Sequence, residues 1–367
     1  MKNRVDPNRI VWAIEENFKD ELSRPKLRNL ILTSIAIGKT ERLRINEISQ
    51  NMPVDVKHKK SRQTRLLRFL DGYLRLDGIM FSWTGLVLQR AYKRRKTHRI
   101  MVLVDEVDLI DDYKALVAAI PFRKRAIPIV FKIYTNQQIM DLEYRSWNEI
   151  VWNFMDQVME TVQGVMPDRE SVFILDRGFA DVKLMKYLNH MGGNFIMRVP
   201  KSSGIQVENY SGKLKTFGET GYFRDVLYHM KERVKVNLFC AVDDSDKDDP
   251  MFIVSNIDDG IGLLYGLRMR IEEAFRDMKT LFGFKHLVLK DIEQSRVERI
   301  LMLVIIGMGL LFLLFEKSGY RWAKRYNTAS SKEFSLIHVI KEKVSDSWTG
   351  LRIHPLFSLH DAVFYRL

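Results

Sequence analysis

The sequence predicts an α/β protein in which a sheet follows a basic, all-helical N-terminal module. Three observations predict this class. Apolar segments of strand length alternate with helical patterns from about residue 100 onward. Positive charge is concentrated before that point, and two long helical patterns follow residue 260. The single Cys among 367 residues excludes a disulfide-rich scaffold and a multi-cysteine zinc module.

The net charge of +13 belongs to the first quarter of the chain. The protein has 59 Lys+Arg and 46 Asp+Glu; residues 1–100 hold 23 and 10 of these, which leaves 36 of each for residues 101–367. Residues 57–99 alone hold 13 basic residues and two acidic ones. A solvated surface is the simplest interpretation, but this concentration favours contact with nucleic-acid phosphates.

Residues 1–98 are expected to form a helical, basic DNA-binding domain. Short helices are predicted before Gly38, at 44–50 and at 57–70. On the last of these, Arg62, Arg65 and Arg68 recur every three residues, so we expect them on one face, turned toward phosphates. A helix-turn-helix agrees with this pattern, without a strong signature. The KRRK run at 93–96 is either a basic junction or a solvated linker.

Residues 99–202 predict the first part of the α/β core. Their order is three strands, a helix, a strand, a helix and a strand. The strands are expected at 100–104, 115–122, 126–134, 171–175 and 194–199, and the helices at 148–164 and 182–191. The short RKR link between the second and third strands predicts an antiparallel hairpin.

The remaining segments predict an insertion, a second part of the core and a tail. Residues 203–258 are turn-rich and read as a β-rich insertion or as an extension of the core. Residues 259–320 contain helical patterns at 263–282 and 297–315, and residues 321–367 read as a helical tail. The apolar run at 300–315 is shorter than the roughly 20 residues of a membrane span, so we expect a buried helix. The N-terminus lacks an apolar signal core, so we expect a cytoplasmic protein.

Two aspartates directly follow apolar strands. Asp105 follows the strand at 100–104, and Asp176 follows the strand at 171–175. Carboxylates at neighbouring strand ends can share divalent cations for phosphoryl chemistry. Aspartates that only cap turns are the structural alternative. The competitors of Asp105 are Glu106, Asp108, Asp111 and Asp112, and position favours Asp105.

The helical pattern at 263–282 offers a third acid, Glu272 or Glu273. Helical spacing aligns one polar stripe, which consists of Tyr265, Arg268, Glu272, Arg276 and Lys279. An ordinary amphipathic helix with salt-bridged surface charges would give the same periodicity.

These motifs resemble those of a known family. The spacing Y-x2-R-x3-E-x6-K, matched by Tyr265, Arg268, Glu272 and Lys279, is similar to the signature of a group of bacterial insertion-sequence transposases in the DDE superfamily. The segment DRGFAD at 176–181 resembles that group's second-aspartate motif. VDEVDL at 104–109, with the hairpin after it, resembles the first. The resemblance covers roughly residues 25–320, and Glu106-Val107 departs from it, because a less acidic, Thr-containing turn is expected there.

The resemblance implies an RNase H-like core with a mixed five-stranded sheet flanked by helices, into which 203–258 is inserted. It implies that Asp105, Asp176 and Glu272 are catalytic and bind two Mg²⁺, which Mn²⁺ can replace, and that Tyr265, Arg268, Arg276 and Lys279 contact DNA. Cut-and-paste transposition follows, which passes through a DNA hairpin in some relatives.

The partners implied are double-stranded DNA, as element ends and as target, and a second copy in a DNA-assembled homodimer. No membrane is involved, and the location would be the bacterial nucleoid. A transposase-derived DNA-binding protein and an RNase H-like nuclease without transposition are the alternatives.

Overall fold

The structure is a computed structural model, and two compact units make up the chain. It describes residues 14–40, 42–52, 54, 56, 58–92, 97–243, 246–289, 292–326 and 338–341. The helical unit comprises Met1–Val87 and Phe275–Leu367, and the sheet unit comprises Leu88–Ala274. The KRRK run at 93–96 lies outside the described residues, as does most of the tail expected at 321–367.

Helices account for the regular structure described in the helical unit. They include α1 (Arg24–Lys39), α2 (Ile45–Asn51), α3 (Lys59–Asp71), the first part of α4 (Leu76–Tyr92) and, near the end of the chain, α10 (Gln294–Tyr326). The helices expected at 44–50 and 57–70 are therefore present. On α3, Leu66, Phe69 and Leu70 are buried, so these residues form the packed side of the helix.

Helix α10 forms the centre of the helical unit by packing against α1. The side chains of residues 300–313 are buried, as expected for the apolar run at 300–315, whose last two side chains lie outside the described ones. The helices approach closely at Gly307, where an added Cβ would lie 2.5 Å from the carbonyl oxygen of Ser34. Among the described residues, no helix has both the length and the apolar character that crossing a membrane requires.

One ten-stranded mixed sheet is the basis of the sheet unit. Its strands are β1 (Arg99–Asp108), β2 (Tyr113–Phe122), β3 (Arg125–Thr135), β4 (Glu170–Leu175), β5 (Asn194–Arg198), β6 (Gly204–Val207), β7 (Tyr210–Lys213), β8 (Gly221–Tyr228), β9 (Val234–Asp243) and β10 (Asp246–Ser255). Their order is β3-β2-β1-β4-β5-β10-β9-β8-β6-β7. The first five strands match the predicted segments, and β2 and β3 form the expected hairpin.

The segment at 203–258 extends this sheet. Strand β10 pairs antiparallel with β5, with Val254 opposite Met197 and Ser255 opposite Ile196. The expectation of a five-stranded sheet was therefore wrong in strand number. The pairing satisfies the backbone groups at the edge of β5, which would otherwise be left open.

Two helices pack on the sheet close to its aspartate-bearing strand ends. They are α6 (Trp147–Val165), after the short α5 (Asn136–Met140), and α7 (Val182–His190). Each is capped at its start, because Ser146 accepts from the N–H of Glu149 and Asp181 accepts from the N–H of Lys183. Helix α6 contacts β2, β3 and β4, and this packing fixes the position of its first residue, Trp147.

Candidate active site

The register between β1 and β4 brings Asp105 and Asp176 to neighbouring positions. The two strands are parallel, and their last pair is Val104 opposite Leu175. The next residue on each strand is the aspartate. Strand β1 continues past Asp105 to Asp108, because it still pairs with β2 there. The expectation that Asp105 ends its strand was therefore wrong, although Asp105 does lie where the ladder with β4 ends.

The helix expected at 263–282 is divided at the point where it faces Asp176. Helix α8 (Ile261–Tyr265) is followed by a 3₁₀ turn, Gly266–Arg268, and by α9 (Met269–Thr280). Glycine has a low helix propensity, which favours a break at Gly266. In 3₁₀ geometry, side chains three residues apart eclipse each other. Tyr265 and Arg268 therefore point in the same direction.

Both side chains reach Asp176. The Tyr265 hydroxyl donates to Oδ1 of Asp176 at 3.3 Å, and Nη2 of Arg268 lies 2.8 Å from Oδ2. Arg268 also pairs with Glu272, one turn along. The side chain of Arg268 is 12% exposed, whereas those of Asp176 and Glu272 are 33% and 37% exposed, so the guanidinium is the most buried of the three groups. Arg268 thus links Asp176 to Glu272.

Asp105 belongs to the same electrostatic cluster. Burial raises the pKa of its carboxyl to about 6; the Arg268 guanidinium opposes this rise, and the charges of Asp176 and Glu272 add to it. Burial also raises the pKa of Asp176, but the backbone N–H of Arg177 and the guanidinium of Arg268 outweigh it, so that this pKa is lowered. The three carboxylates therefore influence one another across one small region.

The donor chemistry of this cluster fits a hard divalent cation. Three carboxylates supply the oxygen ligands that Mg²⁺ prefers. In the part of the chain that the structure describes, no group of three or more His, Cys, Asp or Glu has the arrangement of a metal site. The positive charge that lies beside Asp176 and Glu272 in this structure is the guanidinium of Arg268.

The competing acids lie elsewhere. Asp108 is exposed near Lys114 at the outer end of β1. The carboxylate of Glu106 accepts from Tyr134 and Trp147, with Lys114 at 3.4 Å. Glu273 pairs with Arg125. Of the candidate acids on β1 and α9, Asp105 and Glu272 are therefore the two that interact with Arg268.

Sequence reasoning missed the partners of Glu106. Trp147 is 41 positions away in the chain and Tyr134 is 28. No spacing links them, and only the sheet order β3-β2-β1 and the packing of α6 on the sheet bring them together. Two residues of the polar stripe that were predicted to contact DNA, Arg276 and Lys279, follow Glu272 on α9 and belong to the helical unit.

The three arginines of α3 have different surroundings. Arg62 donates to the backbone carbonyls of Val56 and Gln50, at 2.6 and 3.2 Å. Nε of Arg65 donates to Asn29 at 2.8 Å. Only Arg65 and Arg68 line a groove of about 760 Å³, together with Lys26, His58, Lys60 and Tyr73. We call this the basic groove. The expectation that all three share one outward face therefore does not hold for Arg62.

Part of the chain is similar to a known family. Residues 148–308 match a family model described as a transposase DDE domain. This range includes Asp176, Tyr265, Arg268 and Glu272, and begins after Asp105. No curated protein matches the chain closely enough to be informative.

Proposed function

We propose that the protein is a DNA transposase that binds the terminal inverted repeats of a mobile element, then cleaves and transfers their strands, because residues 148–308 match a family model described as a transposase DDE domain. One observation carries this proposal. Asp105 and Asp176 each follow the last residue pair of the ladder between β1 and β4, and Arg268 links Asp176 to Glu272 within the region of the family match. An ordinary amphipathic helix would not need to direct Tyr265 and Arg268 at a half-buried aspartate on the sheet.

In this proposal, Asp105, Asp176 and Glu272 hold two Mg²⁺ ions, or Mn²⁺. When bound, the ions would activate the attacking oxygen and neutralise charge on the phosphate in an in-line displacement. Asp105 lies in the ladder of β1 with β2, Asp176 directly follows β4, and Glu272 lies on a helix. The separation of the three ligands would therefore change little during the reaction.

The cationic residues of the signature would hold the DNA. Arg268 offers a planar guanidinium that matches phosphate geometry, and Lys279 offers a point charge. Burial raises the pKa of Tyr265, so that its hydroxyl stays protonated and can donate to a phosphate oxygen. Cleavage and joining are both in-line displacements at phosphorus, so one site can serve each step with a different nucleophile.

The basic groove would bind the element ends. Its cations, Arg65, Arg68, Lys26 and Lys60, suit a phosphate backbone. Side chains that can hydrogen-bond lie beside them, which base edges require; they are Asn29, His58, Ser61, Thr64 and Tyr73. Tyr73 is 78% exposed. Because two element ends must be cut together, the complex on DNA would contain two copies of the chain.

Cleavage of DNA by single-residue variants tests this function. The substrate is a duplex that carries the inverted repeats flanking the gene, with Mg²⁺. We expect each of the substitutions Asp105→Ala, Asp176→Ala and Glu272→Ala to abolish nicking. The three variant proteins should still bind the duplex. Asp108→Ala is the matched control, because this acid lies on the same strand but is exposed. Wild-type nicking by the three alanine variants would show that the site is wrong.

A further inference from the structure

Trp147 contacts both aspartate-bearing segments of the sheet unit. It is the first residue of α6. Its indole N–H lies 2.9 Å from Oε2 of Glu106 and 2.9 Å from the hydroxyl of Tyr134. Its ring lies 5.4 Å from the ring of Phe179, tilted by 43°. One side chain thus spans from β1 to the turn that follows β4.

The first contact fixes the backbone beside Asp105. Glu106 is the next residue of β1, and its N–H donates to Oδ1 of Asp105 at 2.9 Å. Successive side chains of a strand point to opposite faces, so Glu106 faces away from the site. There, Tyr134 and Trp147 donate to its carboxylate, and Lys114 lies 3.4 Å away. With these partners on β3, α6 and β2, the peptide at 105–106 has little freedom to rotate.

The second contact fixes the turn beside Asp176. Phe179 closes the 3₁₀ turn Arg177–Phe179, is 3% exposed, and its N–H donates to the carbonyl of Asp176 at 3.0 Å. The residue after Trp147 adds a second link, since the amide of Asn148 donates to Asp181 at 2.9 Å. The start of α6 therefore holds the second aspartate motif at two points.

We infer that Trp147 is a positioning residue, which sets the separation of Asp105 and Asp176 through Glu106 and Phe179 and thereby the affinity of the site for divalent cations. This inference rests on the proposed function of the same site. It assigns a role to Glu106, where the sequence departs from the family pattern. In metalloproteins, loss of a group that orients a ligand typically lowers metal affinity about 10–100-fold.

The test compares Trp147→Phe with Trp152→Phe. The first change keeps a ring against Phe179 and removes the N–H that reaches Glu106. The second alters a tryptophan of the same helix that stacks on Tyr187 at 5.4 Å instead. We expect Trp147→Phe to weaken Mn²⁺ binding by the DNA-free protein about tenfold, measured by calorimetry. The Mn²⁺ concentration for half-maximal cleavage should rise equally, while the rate at saturating Mn²⁺ stays near wild type.

Glu106→Gln provides a second variant that keeps the shape of the side chain and one acceptor. It should weaken Mn²⁺ binding in the same direction, and Trp152→Phe should not. Wild-type Mn²⁺ affinity in both Trp147→Phe and Glu106→Gln would overturn the inference. A lower rate at saturating Mn²⁺ with unchanged affinity would also overturn it. Absence of Mn²⁺ binding in the wild-type protein would overturn the proposed function and this inference with it.

Discussion

The guanidinium of Arg268 lies 2.8 Å from the carboxylate of Asp176 and pairs with Glu272 at the same time. It holds a positive charge among carboxylates that would otherwise repel one another. This charge favours the ionised form of Asp105, so it opposes the rise in pKa that burial causes. In the proposed function, a phosphate of the DNA would compete with Asp176 and Glu272 for the guanidinium of Arg268.

Replacing Arg268 with Met should separate metal binding from cleavage. Without the guanidinium, the carboxylates attract a divalent cation more strongly, so the Mn²⁺ affinity of the DNA-free protein should rise about tenfold, or about 1.4 kcal/mol. Cleavage at saturating Mn²⁺ should fall about 100-fold, because a cation that holds the reacting phosphate is lost. Calorimetry and cleavage kinetics measure the two effects. Arg268→Lys keeps the charge and is the control; a fall in both quantities for Arg268→Met would contradict this role.

Replacement of Arg68 by Ala should affect DNA binding, whereas replacement of Arg62 by Ala should affect stability. Arg68 lines the basic groove, so its loss should reduce the salt dependence of DNA binding, lowering the slope of log K against log[salt] by about 0.9. Arg62 donates to two backbone carbonyls, so its loss should lower the free energy of unfolding by about 1–3 kcal/mol with little change in slope. Binding titrations at several salt concentrations and denaturant unfolding measure these effects. Equal slopes for both variants would contradict the assignment of the groove.

Gly307→Ala should destabilise the helical unit. The new methyl would meet the carbonyl of Ser34 at 2.5 Å, and backbone cannot move aside as a flexible side chain can. Overpacking of this kind costs about 1–3 kcal/mol. Gly266→Ala is the control, since nothing lies within 4 Å of its added Cβ. Thermal unfolding compares the two, and an unchanged midpoint for Gly307→Ala would refute the close approach of α1 and α10.

Cys240 should be unreactive in the folded protein. It lies on β9 at 2% exposure, and burial raises its pKa to about 12. The thiolate is the nucleophile, so at pH 8 the folded protein holds almost none of it, and alkylation should accelerate only on unfolding. Because the protein has one Cys, the labelling rate reports on this strand alone. Rapid labelling of native protein at pH 8 would mean that β9 is not buried in the sheet.

The elements of the core were predictable because their patterns are local. The apolar runs at β1 and β4 have strand length and end at an acid, and α6 has one apolar face. That Asp105 and Asp176 share a site was implied only by the family resemblance, and the parallel pairing of β1 with β4 agrees with it. The family resemblance then selected Glu272 over Glu273, and the pairing of Glu273 with Arg125 agrees with that choice.

Other features depend on contacts that no local pattern contains. The pairing of β10 with β5 joins strands about 55 residues apart, so the sequence left the insertion open between a subdomain and an extension. Helical periodicity placed Arg62 with Arg65 and Arg68, but the carbonyls of Val56 and Gln50 draw it away.

The most direct measurement of the central claim is a time course of a labelled duplex that carries an element end, incubated with the protein, Mg²⁺ and a target plasmid. The proposed function predicts a nick at the boundary of the inverted repeat that leaves a 3′-OH, and later the joining of that end to the plasmid, both abolished by EDTA and by Asp176→Ala. Salt-dependent binding of the end with no divalent-dependent product would contradict it in favour of a DNA-binding protein. Cleavage of arbitrary duplexes without joining would contradict it in favour of a nuclease.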